Sequence, residues 1–129
     1  MPSETDLRDL DVVTDVQLYI LDGHTPVAEP DLLAWGRWMQ LHDRHVAEHR
    51  SQDRSWFVST LFTGVNMRLF SVRGHPAQPL LFETMAFLGH HIEAQDRCAT
   101  WDEAAKQHAL VVARVERARG IPLVEVPHG

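Results

Sequence analysis

The spacing of apolar residues in the first third of the chain changes from strand-like to helical. Apolar side chains recur at every second position from 16 to 20, which predicts a short half-buried strand ending at the turn dipeptide Asp22-Gly23. From Pro30 onwards the spacing is helical, with proline in the first turn, where its missing N–H costs nothing. The pattern therefore predicts a strand and then a helix over residues 30–42.

The middle of the chain has the pattern of a β-sheet. Residues 45–50 predict a short edge strand, and the polar segment 51–54 predicts a hairpin loop. A strand from about 55 to 65 has apolar or small residues on both faces, which is typical of a central strand. Another strand is predicted from about 80 to 88, whereas residues 89–99 are polar and predict only a connection of uncertain form.

The last helix has the clearest local signals. Thr100 and Glu103 form a capping-box pattern at its start, and Gly120 followed by Pro122 ends it. Residues 123–126 fit either a small extra strand or a tail docked on a partner. The helix spans about 100–118, and its predicted buried stripe contains Trp101, Ala104, Ala105, His108, Val111, Val112 and Val115.

These elements predict one α+β domain over residues 15–126. A chain of 129 residues buries roughly two-thirds of its unfolded surface, which suffices for one core. We expect an antiparallel sheet of about four strands with both helices packed on one of its faces. Residues 1–14 are acidic and without clear periodicity, so they predict a flexible arm.

Charge and composition narrow the class of protein. The formal net charge of −6 argues against a nucleic-acid binder, because such proteins cluster Lys and Arg against phosphates. No apolar run is long enough to span a membrane, and the amino terminus lacks the pattern of a signal peptide. The single cysteine, Cys98, cannot form an internal disulfide. We therefore predict a cytoplasmic protein without a nucleic-acid or membrane partner.

Two pairs of adjacent polar residues interrupt the apolar strands. Ser59-Thr60 and Glu83-Thr84 lie in mid-strand, and His108 lies on the buried stripe of the last helix. These five residues are the candidate ligand-binding site. The alternative for His108 is a core histidine whose N–H is satisfied by a sheet residue. A hydrolase built on Ser59 would need that serine exposed on a strained turn, so we predict no catalytic residue.

Histidine and tryptophan give weaker signals. His42, His45 and His49 would align only if one helix ran through them, and a break near Asp43 is expected, so neither a metal site nor a cofactor is predicted. Trp35 and Trp38 flank a broad helix face beside Arg37. These three residues form a candidate protein interface, since Trp and Arg are enriched at binding hot spots, although packing over the sheet is the alternative for the tryptophans.

Several segments together resemble a family of small proteins encoded by bacteriophages and actinobacteria. The resemblance rests on residues 58–64, 79–87 and 97–104 with His108, supported by 31–38 and 44–47, and spans about residues 18–115. The family has no assigned activity. Its members usually continue the first motif with Gly-Leu-Asp-His, whereas this chain has Gly-Val-Asn-Met at 64–67. If the Asp-His pair carries chemistry in the family, this chain has lost it, which argues against an enzymatic function. A phage setting implies host cytoplasm and interaction with a host protein.

The leading functional hypothesis is a non-enzymatic protein that binds a protein partner through its sheet edge and aromatic positions, as a homo-oligomer. One alternative is a small-molecule binder that sequesters a nucleotide-like ligand between the five polar residues. It requires their side chains to converge. A weak hydrolase is the third hypothesis.

Overall fold

The computed structural model describes residues 10–12, 16–67, 70–72 and 78–127 of the chain. Within these residues the secondary structure comprises ten strands and two helices. In chain order these are β1 Leu10–Val12, β2 Val16–Asp22, β3 Thr25–Ala28, α1 Leu32–Leu41, β4 His45–Ser51, β5 Trp56–Phe62, β6 Val65–Met67, β7 Phe70–Val72, β8 Phe82–Leu88, β9 His91–Cys98, α2 Trp101–Arg119 and β10 Leu123–Glu125.

The strands form antiparallel sheets, which confirms the α+β class. The largest sheet has five strands in the order β10-β4-β5-β8-β9, a second has the order β3-β2-β6, and β1 pairs with β7. The structure therefore has more strands and more sheets than the single sheet of about four strands that was expected. The difference arises from strands that the sequence pattern merged or missed, chiefly β6 and β9.

The two central strands of the five-stranded sheet pair along their whole length. The register runs from Trp56 opposite Leu88 to Phe62 opposite Phe82. Side chains alternate between the two faces, and the apolar positions on one face form the core beneath α2. Strand β5 is central, as its pattern predicted, and five of its seven residues are buried.

Strand β5 ends three residues earlier than the sequence pattern suggested. Gly64 has φ +73°, a left-handed conformation that ends the strand. A Cβ at this position would lie 3.0 Å from Met39 Sδ and 3.2 Å from Trp35 Nε1. After this glycine the chain leaves the large sheet, and β6 pairs with β2 instead.

The polar segment after β8 is a strand and not an irregular connection. Gly89, with φ +59°, and His90 form a two-residue turn between Leu88 and its partner His91. A glycine with positive φ at the first turn position is typical of a tight hairpin. The strand that follows, β9, is polar because it lies at the edge of the sheet, where neither alternation nor burial is required.

The loop between β4 and β5 is polar, as predicted. The Asp53 carboxylate accepts hydrogen bonds from the hydroxyls of Ser51 and Ser55, both at 2.7 Å. These bonds, with the Ser51 hydroxyl contributing most, lower the pKa of Asp53 to about 2. The loop is thereby closed by local side-chain to backbone and hydroxyl contacts.

Helix α2 begins and ends at the expected residues. The Thr100 hydroxyl accepts from the amide of Glu103 and donates to its carboxylate, and Gly120 closes the helix in the left-handed conformation. The buried residues of α2 are Ala104, His108, Val111, Val112 and Val115. Ala105, assigned to the stripe from the sequence, is exposed because it lies one position from Ala104 around the helix.

Helix α1 packs on β2, and its Trp38 also contacts Phe62 at the end of β5 in the large sheet. Its N-cap is Asp31, whose carboxylate accepts from the amides of Leu33 and Ala34. No residue of α1 is fully buried, and Leu33 is 80% exposed. Neither helix in the described part of the chain is long and apolar enough to cross a membrane.

At the carboxyl end the structure has one of the two alternatives that the sequence left open, and at the amino end it has a strand that the sequence did not predict. Residues 123–125 are a strand, β10, which pairs with β4. Residues 10–12, within the predicted arm, form β1. The remaining arm residues, 1–9 and 13–14, lie outside the described residues.

Candidate functional site

Three of the five candidate ligand residues meet in a buried chain of hydrogen bonds. The His108 Nδ1 atom lies 2.8 Å from the Thr60 hydroxyl, which lies 2.7 Å from the Thr84 hydroxyl. Beyond these, the Thr84 hydroxyl donates to Gln107 Oε1 at 3.0 Å, and His108 Nε2 lies 2.9 Å from His49 Nδ1. We call these five residues the His108 network.

Each threonine hydroxyl has one proton, and this fixes which atom donates in each hydrogen bond of the His108 network. Thr84 donates its only proton to Gln107, so the shared bond between the threonines must be donated by Thr60. Thr60 then has no proton for His108, and the imidazole Nδ1–H must donate to it. His108 Nε2 is left as an acceptor, and the donor to it is His49 Nδ1–H.

Burial keeps His108 neutral, in agreement with this arrangement. The side chain is 3% exposed, and desolvation together with the nearby His49 lowers the pKa of His108 to about 4. A protonated imidazole would carry a proton on both nitrogens and would lose the bond from His49. Near neutral pH the network is therefore complete, with every ring nitrogen of His108 paired.

The other two candidate ligand residues lie on the opposite face of the sheet. Ser59 and Glu83 are adjacent in sequence to Thr60 and Thr84, so their side chains point away from α2. The Glu83 carboxylate accepts from Gln95 Nε2 and from Arg97 Nε, both at 2.8 Å. The five residues consequently do not form one site, and the convergence required for small-molecule binding is absent.

The two threonines at the centre of the His108 network are closed to substrate. Thr60 and Thr84 are 0% and 1% exposed, and their hydroxyls are engaged with each other. Ser59 lies in the middle of β5 and not on a strained turn, so it lacks the exposure that the hydrolase hypothesis required. The arrangement is that of a satisfied core histidine, which fixes packing between α2 and the sheet.

The three histidines that a single helix would have aligned have different partners. The His42 ring stacks on Trp38, with the ring centroids 4.7 Å apart, and His49 contacts His108. His45 contacts Asp43 and Glu48 at 2.7 and 2.6 Å. Among the described residues no group of three or more histidine, cysteine, aspartate or glutamate side chains is placed to hold a metal ion.

The tryptophans of the candidate interface pack inwards. The Trp35 indole N–H donates to the carbonyl oxygens of Tyr19 and Gly64, both at 3.1 Å. Trp38 contacts Phe62 edge-to-face, with the ring centroids 5.9 Å apart. Of the three residues only Arg37 is exposed. The packing alternative therefore describes both tryptophans, which hold α1 against β2 and the end of β5.

A different surface combines a free strand edge with a groove. Strand β9 is the outermost strand of the five-stranded sheet, and among the described residues no strand pairs with its outer edge. Between β9 and α2 lies a cavity of about 440 Å³, which we call the β9–α2 groove. Its lining includes Asp96, Cys98, Lys106, Gln107, Leu110 and Arg114.

The β9–α2 groove combines charged and apolar groups. Leu110 is 66% exposed, although it lies directly beside buried Val111. Lys106 and Arg114 extend from the helix, while Asp96 extends from the strand. Cys98 lies at the floor, where burial raises the pKa of its thiol and keeps it protonated and unreactive. These features suit binding of a peptide backbone better than covalent chemistry.

Sequence reasoning missed this groove because it assigned no strand to residues 89–99. Two features of the sequence pointed to it. Gly89 occupies a tight-turn position directly after a predicted strand, and Leu110 is an isolated apolar residue on the polar side of the last helix. Pairing with β8 establishes β9 as a strand, and the groove lining places Leu110 beside it. No protein-family model, curated protein or solved structure matches this chain.

Proposed function

We propose that this chain is a non-enzymatic protein that acts by binding a protein partner at the edge of β9, and that it forms a homo-oligomer. The proposal rests on one observation: the eight-residue strand β9 lies beside the β9–α2 groove, and no strand of the described chain pairs with its outer edge. An edge strand presents unpaired backbone N–H and C=O groups that a second strand can satisfy. In this type of recognition the partner adds a strand to the sheet, and its side chains enter the adjoining groove.

The buried polar cluster supports a binding function over catalysis. A catalytic site needs groups that can reach a substrate, whereas the hydroxyls of Thr60 and Thr84 are enclosed. The carboxylate of Glu83 lies on the other face and is bonded to Arg97. The resemblance to phage and actinobacterial proteins adds a setting, the host cytoplasm, in which a small binding protein would meet host or phage partners.

Site-specific photo-crosslinking tests the proposal. A photoreactive amino acid is placed at Leu110, in the groove, and in a matched variant at Leu33, which is also exposed but lies on α1. Both variants are produced in the cell that normally contains the protein, irradiated, and analysed by mass spectrometry. We expect a discrete covalent adduct from position 110 and none from position 33.

The mass of the adduct identifies the partner as a second copy or as a different protein. A groove that binds nothing would give the same diffuse background at both positions, and that result would contradict the proposed function. An adduct confined to position 33 would instead assign the binding surface to α1.

A further inference from the structure

We propose that the strand which pairs with β9 is β9 of a second copy, so that two chains form a continuous ten-stranded sheet about a two-fold axis. This inference rests on the proposed function, because it identifies the partner at the same edge. In such an isologous contact residue i of one copy meets residue j of the other, and j meets i. The residues of β9 must therefore be complementary in charge and size to the residues of β9 in the second copy.

Side-chain alternation and charge select one position for the axis. In an antiparallel pair, residues opposite each other must lie on the same face, so the axis passes through a residue and not between two. An axis at Asp96 would place two carboxylates directly opposite each other, which is destabilising. An axis at Gln95 places the two glutamines opposite each other and sets Asp96 against the second copy's Ala94. The irregularity in the ladder between Ala94 and Ile92 limits pairing on the other side.

The same axis brings complementary charges together. Ala94 packs beneath the part of α2 that contains Val111, and Arg114 lies less than one turn further along that helix. Asp96 of one copy, lying opposite Ala94 of the other, therefore approaches the second copy's Arg114. The contact occurs twice by symmetry. Asp96 and Arg114 are both exposed in the single chain, with no ion pair between them.

The flanking helices complete the contact. When two edge strands pair about a two-fold axis, the helices that cover them lie antiparallel on the same face of the enlarged sheet. Leu110 is the exposed apolar residue of α2 that lines the groove, and the second copy's helix would cover it. The two copies thus satisfy backbone groups, bury an exposed leucine and pair opposite charges with one set of residues.

Disulfide trapping tests the position of the axis. Gln95→Cys places two thiols at the axis, where opposite Cα atoms of an antiparallel pair are about 5 Å apart, within the range for a disulfide. The matched control, Arg97→Cys, places its two thiols about 13 Å apart along the strands, too far for a bond. Both variants are made with Cys98→Ala. Under mild oxidation we expect a covalent dimer from Gln95→Cys and a monomer from Arg97→Cys.

Charge reversal tests the contact between the strand and the helix. Asp96→Arg and Arg114→Asp each place like charges together at both ends of the two-fold contact, so each is expected to dimerise about tenfold more weakly than the wild-type chain. An equimolar mixture restores both opposite-charge pairs and should form a one-to-one heterodimer, detected by native mass spectrometry. Arg117→Asp, on α2 but outside the groove lining, should dimerise as the wild type does.

Each outcome separates this inference from the proposed function. Wild-type chains that remain monomeric at high concentration, or equal trapping by both cysteine variants, would overturn pairing through β9. A foreign adduct at Leu110 would then leave the proposed binding of a protein partner at β9 intact, whereas monomeric wild-type chains would also contradict the proposed homo-oligomer. Failure of the mixture to restore association would overturn the Asp96–Arg114 contact and with it the assigned axis.

Discussion

The buried imidazole of His108 makes the stability of the protein depend on pH in a defined interval. The pKa of a histidine in an unfolded chain is about 6.5, whereas in the folded protein burial and His49 lower that of His108 to about 4. The unfolded chain therefore takes up a proton before the folded chain does. The contribution of His108 to stability is complete above about pH 6.5 and is lost as the pH falls towards 4.

The size of the effect follows from the two pKa values. Between them each pH unit costs about 1.4 kcal/mol of unfolding free energy, and the whole interval costs about 3 kcal/mol. A typical domain has a net stability of only about 5–15 kcal/mol, so this loss is large enough to measure by denaturant unfolding.

Urea unfolding of the wild-type chain and of His108→Gln measures this contribution. The two are compared at about pH 7, 6 and 5 and at one protein concentration, because association would also stabilise the folded state. Glutamine retains polar groups but does not titrate. We expect the wild type to be the more stable at neutral pH, with the difference shrinking by about 1.4 kcal/mol per pH unit below 6.

Parallel pH profiles for the two proteins would refute the reasoning, since His108 would then titrate alike in the folded and unfolded chains. Should His108→Gln not fold, the imidazole resonances of the wild-type protein give an independent answer. A His108 resonance that titrates near pH 6.5 in the folded protein would contradict the low pKa inferred from its burial.

Three further substitutions probe the contacts that hold the fold together, each measured by urea or thermal unfolding. Thr60→Val removes a fully buried hydroxyl and leaves the His108 N–H without an acceptor, so we expect a loss of about 1–3 kcal/mol. Gly64→Ala should cost at least about 1 kcal/mol, because of its positive φ and contact with Met39; no measurable loss would contradict this strain. Trp35→Phe removes the donor to two carbonyl oxygens and should cost about 1–2 kcal/mol, whereas Leu33→Ala on the same helix should change stability little.

The sequence predicted those helices and strands whose buried side chains recur at a regular spacing. The capping box at Thr100 and the apolar spacing behind it define α2 because cap and stripe are properties of a few neighbouring residues. Strand β5 was recognisable because both its faces are covered. Strand β9 was not, since an edge strand needs no continuous apolar face and its polar residues resemble a loop.

The candidate site was predicted in part for a related reason. Sequence can place Thr60 and Thr84 in strands and His108 on a buried stripe, and these three do meet. It cannot show which of two adjacent residues faces the helix, and Ser59 and Glu83 proved to face away. The inward packing of Trp35 could not be read from the sequence, because the two carbonyl oxygens that accept from its indole belong to residues distant in sequence, Tyr19 and Gly64.

The His108 network also determines the shape of the β9–α2 groove, which it reaches through Gln107. It joins α2 to β4, β5 and β8 through His49, Thr60 and Thr84, and a shift of the helix by one turn would move His108 by about 5.4 Å and break these bonds. The network thus determines the position along β9 at which Leu110 lies. Core substitutions at these positions should alter partner affinity while every exposed residue stays the same.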